Sequence, residues 1–232
     1  VSQLLDEAVI QLDAGALAEQ PEGEARVRMT IAQSYQSLGL YPPARAQFEQ
    51  ALVLRRAIFG EHHVEVANTL MKLAHALRGD EQYLDAAQLV AEAEAIYVAQ
   101  VGELHELTIR ARLLAALCAS QAEPVESVRN RLCDLHAQAI ALTGGEGNEL
   151  VIDVKSEIGY VGHCSGDVQQ TLRVLDEVLA AQRTMFGAND DRTVRTLINK
   201  GTNYTNMGKR REAEELLTQA TEMRRALYGE DH

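Results

Sequence analysis

Three groups of residues in this 232-residue chain have the types and spacing of chemical sites. Gly162-His163-Cys164-Ser165-Gly166 has the glycine–x–nucleophile–x–glycine spacing, with a thiol in the nucleophile's place. That chemistry needs a strand before the elbow and a helix after it, which together push the nucleophile out on a strained turn. The residues around the motif have helical periodicity, and it falls in register with glycine turns at Gly39 and Gly208, so it reads as a glycine-rich helix end. His62-His63 and His105 suggest a metal site, but three or four ligands must converge to about 2 Å from a zinc ion. His63, His105 and His232 hold the same place in a long repeat, one per loop, which spreads them apart; a loop-capping role is expected for them. Gly144-Gly145-Glu146-Gly147 lacks the Lys and Ser/Thr of a phosphate-cradling loop. No kinase signature (His-Arg-Asp, Asp-Phe-Gly or a strand-borne Lys) is present either. The expectation is a chain with no catalytic residues, no metal and no cofactor.

The elements that carry these residues repeat. Phe59-Gly60-Glu61-His62-His63 returns as Tyr228-Gly229-Glu230-Asp231-His232, and Gly60, Gly102, Gly144, Gly187 and Gly229 recur at intervals of 42, 42, 43 and 42 residues. Each glycine follows an amphipathic run and suits the left-handed position that ends a helix. A second ladder, Ala32, Ala74, Ala116, Gly159 and Gly201, keeps the same spacing. Ala44, Ala86, Val128, Thr171 and Ala213 follow it, and then Ala51, Ala93, Leu135, Val178 and Ala220. Small residues there let paired helices approach closely, and a bulky one would overpack the contact at about 1–3 kcal/mol.

Small–x–x–Tyr at Ala32–Tyr35 and Gly201–Tyr204, with Ala44, Phe48 and Ala51, resembles the tetratricopeptide signature. The usual period is about 34 residues. The longer one here is similar to the variant of kinesin light chains, found also in repeat regions attached to bacterial Ser/Thr protein kinases. Leu4-Leu5-Asp6-Glu7-Ala8, Ala14-Gly15-Ala16-Leu17 and Leu38-Gly39-Leu40-Tyr41 resemble the segment that follows such a kinase domain. The resemblance implies an all-α fold, a right-handed α-solenoid of about five helix hairpins plus an N-terminal helix. As a single superhelical domain over 1–232, it would have a lone helix at 3–18 and repeats at 25–62, 67–104, 109–146, 152–189 and 194–231. Val128 and Leu135 replace small residues in the third repeat, whose hairpin is expected to be splayed. The opening residues, without Met or the pattern of a signal peptide, read as the start of a fragment of a longer protein.

Composition narrows the partners. A net charge of −12 disfavours nucleic acid, which demands a positive footprint. No apolar run approaches the roughly 20 residues needed to cross a bilayer. Cys118, Cys133 and Cys164, odd in number and scattered, fit buried free thiols in a reducing cytoplasm.

In tetratricopeptide arrays the first helix of each hairpin lines the concave face. Carried over, this implies a groove of Arg26, Met29, Thr30, Gln33 and Gln36 in the first repeat, and of Asn68, Met71, Lys72, His75 and Arg78 in the second. The third gives Arg110, Leu113, Leu114 and Leu117; the fourth Asp153, Ser156, Glu157, Tyr160 and His163; the fifth Arg195, Ile198, Asn199 and Thr202. Arg26, Lys72, Arg78 and Arg110 make the first three repeats basic there, and Asp153 and Glu157 reverse the sign. Leu113, Leu114 and Leu117 either mark a contact surface or are buried by a degenerate repeat. The Lys–Asn…Lys–Arg set with which some relatives hold a chaperone's terminal carboxylate is not reproduced. The expected function is a protein–protein interaction scaffold for a peptide or protein with an acidic stretch. The alternative is a regulatory or substrate-recruiting region of a bacterial kinase whose catalytic domain lies elsewhere. Leu216, Leu217, Met223 and Leu227 of the last repeat offer a further surface, for self-association.

Overall fold

The computed structural model describes residues 2–162 and 168–229. Among them are eleven helices and no strand. In order they are α1 (Ser2–Asp13), α2 (Pro21–Ser37), α3 (Tyr41–Phe59), α4 (Val64–Gly79), α5 (Tyr83–Val101), α6 (Glu106–Ala119), α7 (Val125–Thr143), α8 (Glu149–Gly162), α9 (Val168–Phe186), α10 (Asp191–Asn206) and α11 (Arg210–Tyr228). The nucleophile-like residues 163–166 lie outside the described residues, as does His232.

The repeat supplies both ends of these helices. His63 and His105 cap α4 and α6 by accepting, at Nδ1, the backbone N–H of Glu65 (3.1 Å) and of Leu107 (3.2 Å). Asn148 and Asp190 hold the same repeat position and do the same for Leu150 (2.9 Å) and Arg192 (3.0 Å). A side-chain acceptor there satisfies one of the orphaned N–H groups of the first turn. At the other end the five spaced glycines all have positive φ. Gly144 is left-handed as expected, with ψ 9°, but Gly60, Gly102 and Gly229 pair positive φ with ψ of 166°, 166° and 173°. That region is essentially closed to any side chain. Pro21 and Pro42-Pro43 sit in first turns, where an N–H has no partner to lose.

The chain divides into two compact units, residues 1–121 and 122–232, and the division falls between α6 and α7, within the third repeat. In the first unit α2 pairs with α3 and α4 with α5, while α3 also packs on α4 and α5 on α6. One core runs through it, including Ala32, Phe48, Leu70, Ala74, Val90, Ala93, Tyr97 and Leu114. Tyr35 of α2 donates to Asp6 of α1 (2.5 Å), and its phenol is pushed up to about 12 by burial and by that carboxylate. Arg28, nearly buried, donates to Glu24, Gln47 and Asp13. In the second unit α7 packs on α8, α8 on α9, α9 on α10 and α10 on α11. Its ladder positions are glycines for a steric reason. A Cβ on Gly159 would lie 2.7 Å from Cδ2 of Leu175, and one on Gly201 2.9 Å from Cδ2 of Leu217.

Cys118 is buried and free, and burial pushes its thiol up. Cys133 is free but exposed, contrary to the expectation of buried thiols, because it lines an open cavity of about 240 Å³ with Ile158 of α8 and Val174 of α9 and not the core. Cys164 is outside the described residues. Among the described residues no helix is long and apolar enough to cross a membrane, and no group of three or more His, Cys, Asp or Glu could hold a metal ion.

Candidate partner-binding faces

The first helices α2, α4 and α6 carry the candidate residues of the first unit. Met29, Met71 and Leu113 share one repeat position, and each keeps a 9% exposed edge. Beside them Arg26, Gln33 and Lys72 are exposed, and Asn68, His75, Arg78 and Arg110 are half-buried. Leu114 and Leu117, at 1% and 8% exposure, together with Leu113 do not form an open apolar patch. Leu114 sits in the core, which is where a helix with apolar residues on nearly every side must put some of them.

Internal bonds sort these polar residues. Asn68 is engaged on both sides, accepting from the Tyr97 phenol at 2.8 Å and donating to Glu65 at 3.2 Å. Arg110 is paired with Glu106 one turn away at 2.8 Å. Arg28, Arg45, Arg55, Arg56 and Arg112 likewise have carboxylate partners. Among the described residues of this unit, Arg26, Lys72 and Arg78 are the cations without one, and all three lie on α2 and α4. His75 is held neutral, its pKa brought down to about 4 by burial first and then by Arg78 and Lys72. Cys118, absent from the sequence-based set, also feels the charge of Arg78.

In the second unit, Arg195 on α10 meets Glu157 on α8 at 3.1 Å, so the expected negative charge there is largely compensated. Asp153 and Asn199 are half-buried, and Tyr160 is exposed. The backbone carbonyl of Asn199 accepts from the Asn203 side chain at 2.8 Å. His163 lies outside the described residues. On α11, Leu216 and Met223 pack against the core of Leu179, Val194, Leu197 and Ala220, leaving Leu217 and Leu227 outermost. Leu217 is 36% exposed, whereas its repeat equivalents Phe48, Val90, Leu132 and Leu175 are fully buried. It lines a shallow groove of about 490 Å³ with Ala213, Arg210, Glu214, Thr221 and Arg225, whose accessible surface is mostly apolar.

A model of the tetratricopeptide repeat matches residues 23–99 and 150–226. The chain belongs to the tetratricopeptide-repeat family. The array is similar to a solved Podosopora anserina protein described as a kinesin light chain with nearly identical TPR-like repeats. They share 20% identity over 91% of this chain and 100% of that one, with a TM-score of 0.61. The Rap conjugation gene regulator of plasmid pLS20, solved in complex with the Phr* peptide, superposes with a TM-score of 0.75 at 16% identity, covering 86% of this chain and 53% of that one. In sequence, the array is 27% identical over 151 residues to a clustered mitochondria protein homolog of Coccidioides immitis. It spans 62% of this chain and only 12% of that much longer protein.

Proposed function

We propose that this tetratricopeptide array is a protein-interaction scaffold that holds a segment of a partner, acidic in part, along the first-helix face of residues 1–121. One observation carries the reading: among the described residues of that unit, the cations that lack a carboxylate partner, Arg26, Lys72 and Arg78, all lie on α2 and α4. In a chain of net charge −12, a face of unmatched positive charge attracts negative ligands and speeds their encounter. Met29 and Met71 add an apolar edge beside it, and methionine adapts to varied partners. The solved Rap–peptide complex, alike in fold, supports a polypeptide ligand.

The test is a binding titration with the native partner at low and moderate salt. Lys72→Glu with Arg78→Glu should weaken binding by at least roughly tenfold, and wild-type affinity should fall as salt rises. Unchanged affinity in the double variant sinks the reading.

A substrate-recruiting role beside a bacterial kinase domain outside these residues is a narrower form of the same proposal, supported by the sequence resemblance; sequence upstream of Val1 decides it. A cytoplasmic setting is proposed on the free thiols of Cys118 and Cys133. Self-association through α11 has less support, because Leu216 and Met223 turn inward.

A further inference from the structure

The repeat provides its own controls. Position by position, Lys72 is matched by Thr30, Leu114, Glu157 and Asn199, and Arg78 by Gln36, Ser120, His163 and Thr205. The fold therefore places no demand for a cation at either position. On α4, Lys72 and Arg78 stand three residues to either side of His75, a spacing that puts side chains on one helix face. Lys72 is exposed. Arg78 is half exposed, yet its Nε is shut off from water and bonds to nothing. A cation in the last turn complements the carbonyl end of a helix, which accounts for one positive charge near Arg78. It accounts neither for Lys72, in mid-helix, nor for the unsatisfied Nε.

Two titratable groups that feel these cations, His75 and Cys118, bring no countercharge. His75 is neutral, and the charges that bear on it are Arg78 and Lys72. The Cys118 thiol of α6, which also feels Arg78, is pushed up by burial and stays protonated at neutral pH. Two cations thus flank an uncharged imidazole with no acid of their own.

We propose that Lys72, His75 and Arg78 form a seat for one anionic oxygen group, a carboxylate or a phosphoryl group, on the segment held by this face. The inference rests on the function proposed above and narrows it to the second repeat, leaving Arg26 outside and Arg110 held by Glu106. Arg78 presents a planar fork to two oxygens and Lys72 a compact charge, the two complementary ways of meeting an oxyanion. His75 offers a ring N–H. An anion between its neighbours also relieves their repulsion, which favours a proton on the imidazole.

Inorganic phosphate and acetate are titrated separately into the chain at low ionic strength, following the imidazole and arginine Nε–H resonances by NMR. The seat predicts saturable shifts at His75 and Arg78, weakened by roughly tenfold or more in Lys72→Gln/Arg78→Gln and by less than about twofold in Arg211→Gln, on α11 and paired with Glu215. Tighter binding of phosphate assigns a phosphoryl ligand, and equal or tighter binding of acetate a carboxylate. The exposed single variant Lys72→Gln, with unchanged circular dichroism, gives an intermediate loss. Absent saturation, or saturation that survives the double variant, overturns the seat. Native-partner binding abolished by Met71→Glu but untouched by Lys72→Gln/Arg78→Gln overturns the seat and leaves the scaffold standing. Saturable phosphate binding without any polypeptide ligand does the reverse.

Discussion

Arg195 and Glu157 neutralise each other across 3.1 Å between α10 and α8. Both belong by repeat position to the candidate binding faces, and Glu157 is only 9% exposed. A charge already spent on a neighbour offers little to a ligand, so these two residues differ in kind from Lys72 and Arg78.

Arg195→Gln should therefore leave the affinity for an acidic partner within about twofold while lowering stability by at most about 1 kcal/mol, since the half-exposed guanidinium is screened by solvent. Thermal unfolding and a binding titration on the same variant check both halves. A large affinity loss at constant stability would reverse the assignment.

Gly60→Ala should cost about 1–3 kcal/mol, because φ 83° with ψ 166° is a backbone state that a Cβ does not tolerate. Gly147→Ala is the control, since a Cβ there meets nothing within 4 Å and its φ is not positive. Urea midpoints that move equally for the two variants would refute the backbone argument.

Gly79 makes a different demand. A Cβ there would lie 2.3 Å from Cε1 of Tyr41, a ring atom with little freedom to retreat. Gly79→Ala should cost roughly 1–3 kcal/mol in the native background and much less with Tyr41→Ala. Additive losses in that double-mutant cycle would place the strain elsewhere.

His75 sets a pH dependence. Its folded pKa of about 4 lies below the ordinary 6.5. Between those values the unfolded chain binds a proton that the folded chain refuses. Stability is thus full above about pH 6.5 and declines as pH falls towards 4, by on the order of 2 kcal/mol from this group. His75→Gln should flatten the slope of urea midpoint against pH over that interval, and an unaltered slope would remove His75 as its source.

The helical hairpins were legible because their determinants are periodic. Gly60 and its four counterparts, and the small residues from Ala32 to Gly201, announce helix ends and close contacts through spacing alone. What spacing does not encode is which side chains are already engaged. Arg110 and Arg78 look alike in sequence, yet one reaches Glu106 and the other no acid, since the outcome depends on rotamers and on the neighbours present. Leu114 illustrates a second gap. An apolar residue on a first helix can face a partner or the core, and only packing decides. The glycine torsions are a third: the pattern predicts positive φ, but the extended ψ at Gly60, Gly102 and Gly229 comes from how each chain segment leaves its helix.

The helix-opening residues differ in one chemical respect between the two halves of the chain. Histidines open α4 and α6, whereas an amide and a carboxylate, Asn148 and Asp190, open α8 and α10. An imidazole that accepts at one ring nitrogen donates from the other, whereas an Asp carboxylate offers oxygens alone. Because Nδ1 accepts in both histidines, each ring keeps its N–H at Nε2, so the openings of α4 and α6 carry a donor beside the acceptor, which the carboxylate of Asp190 lacks.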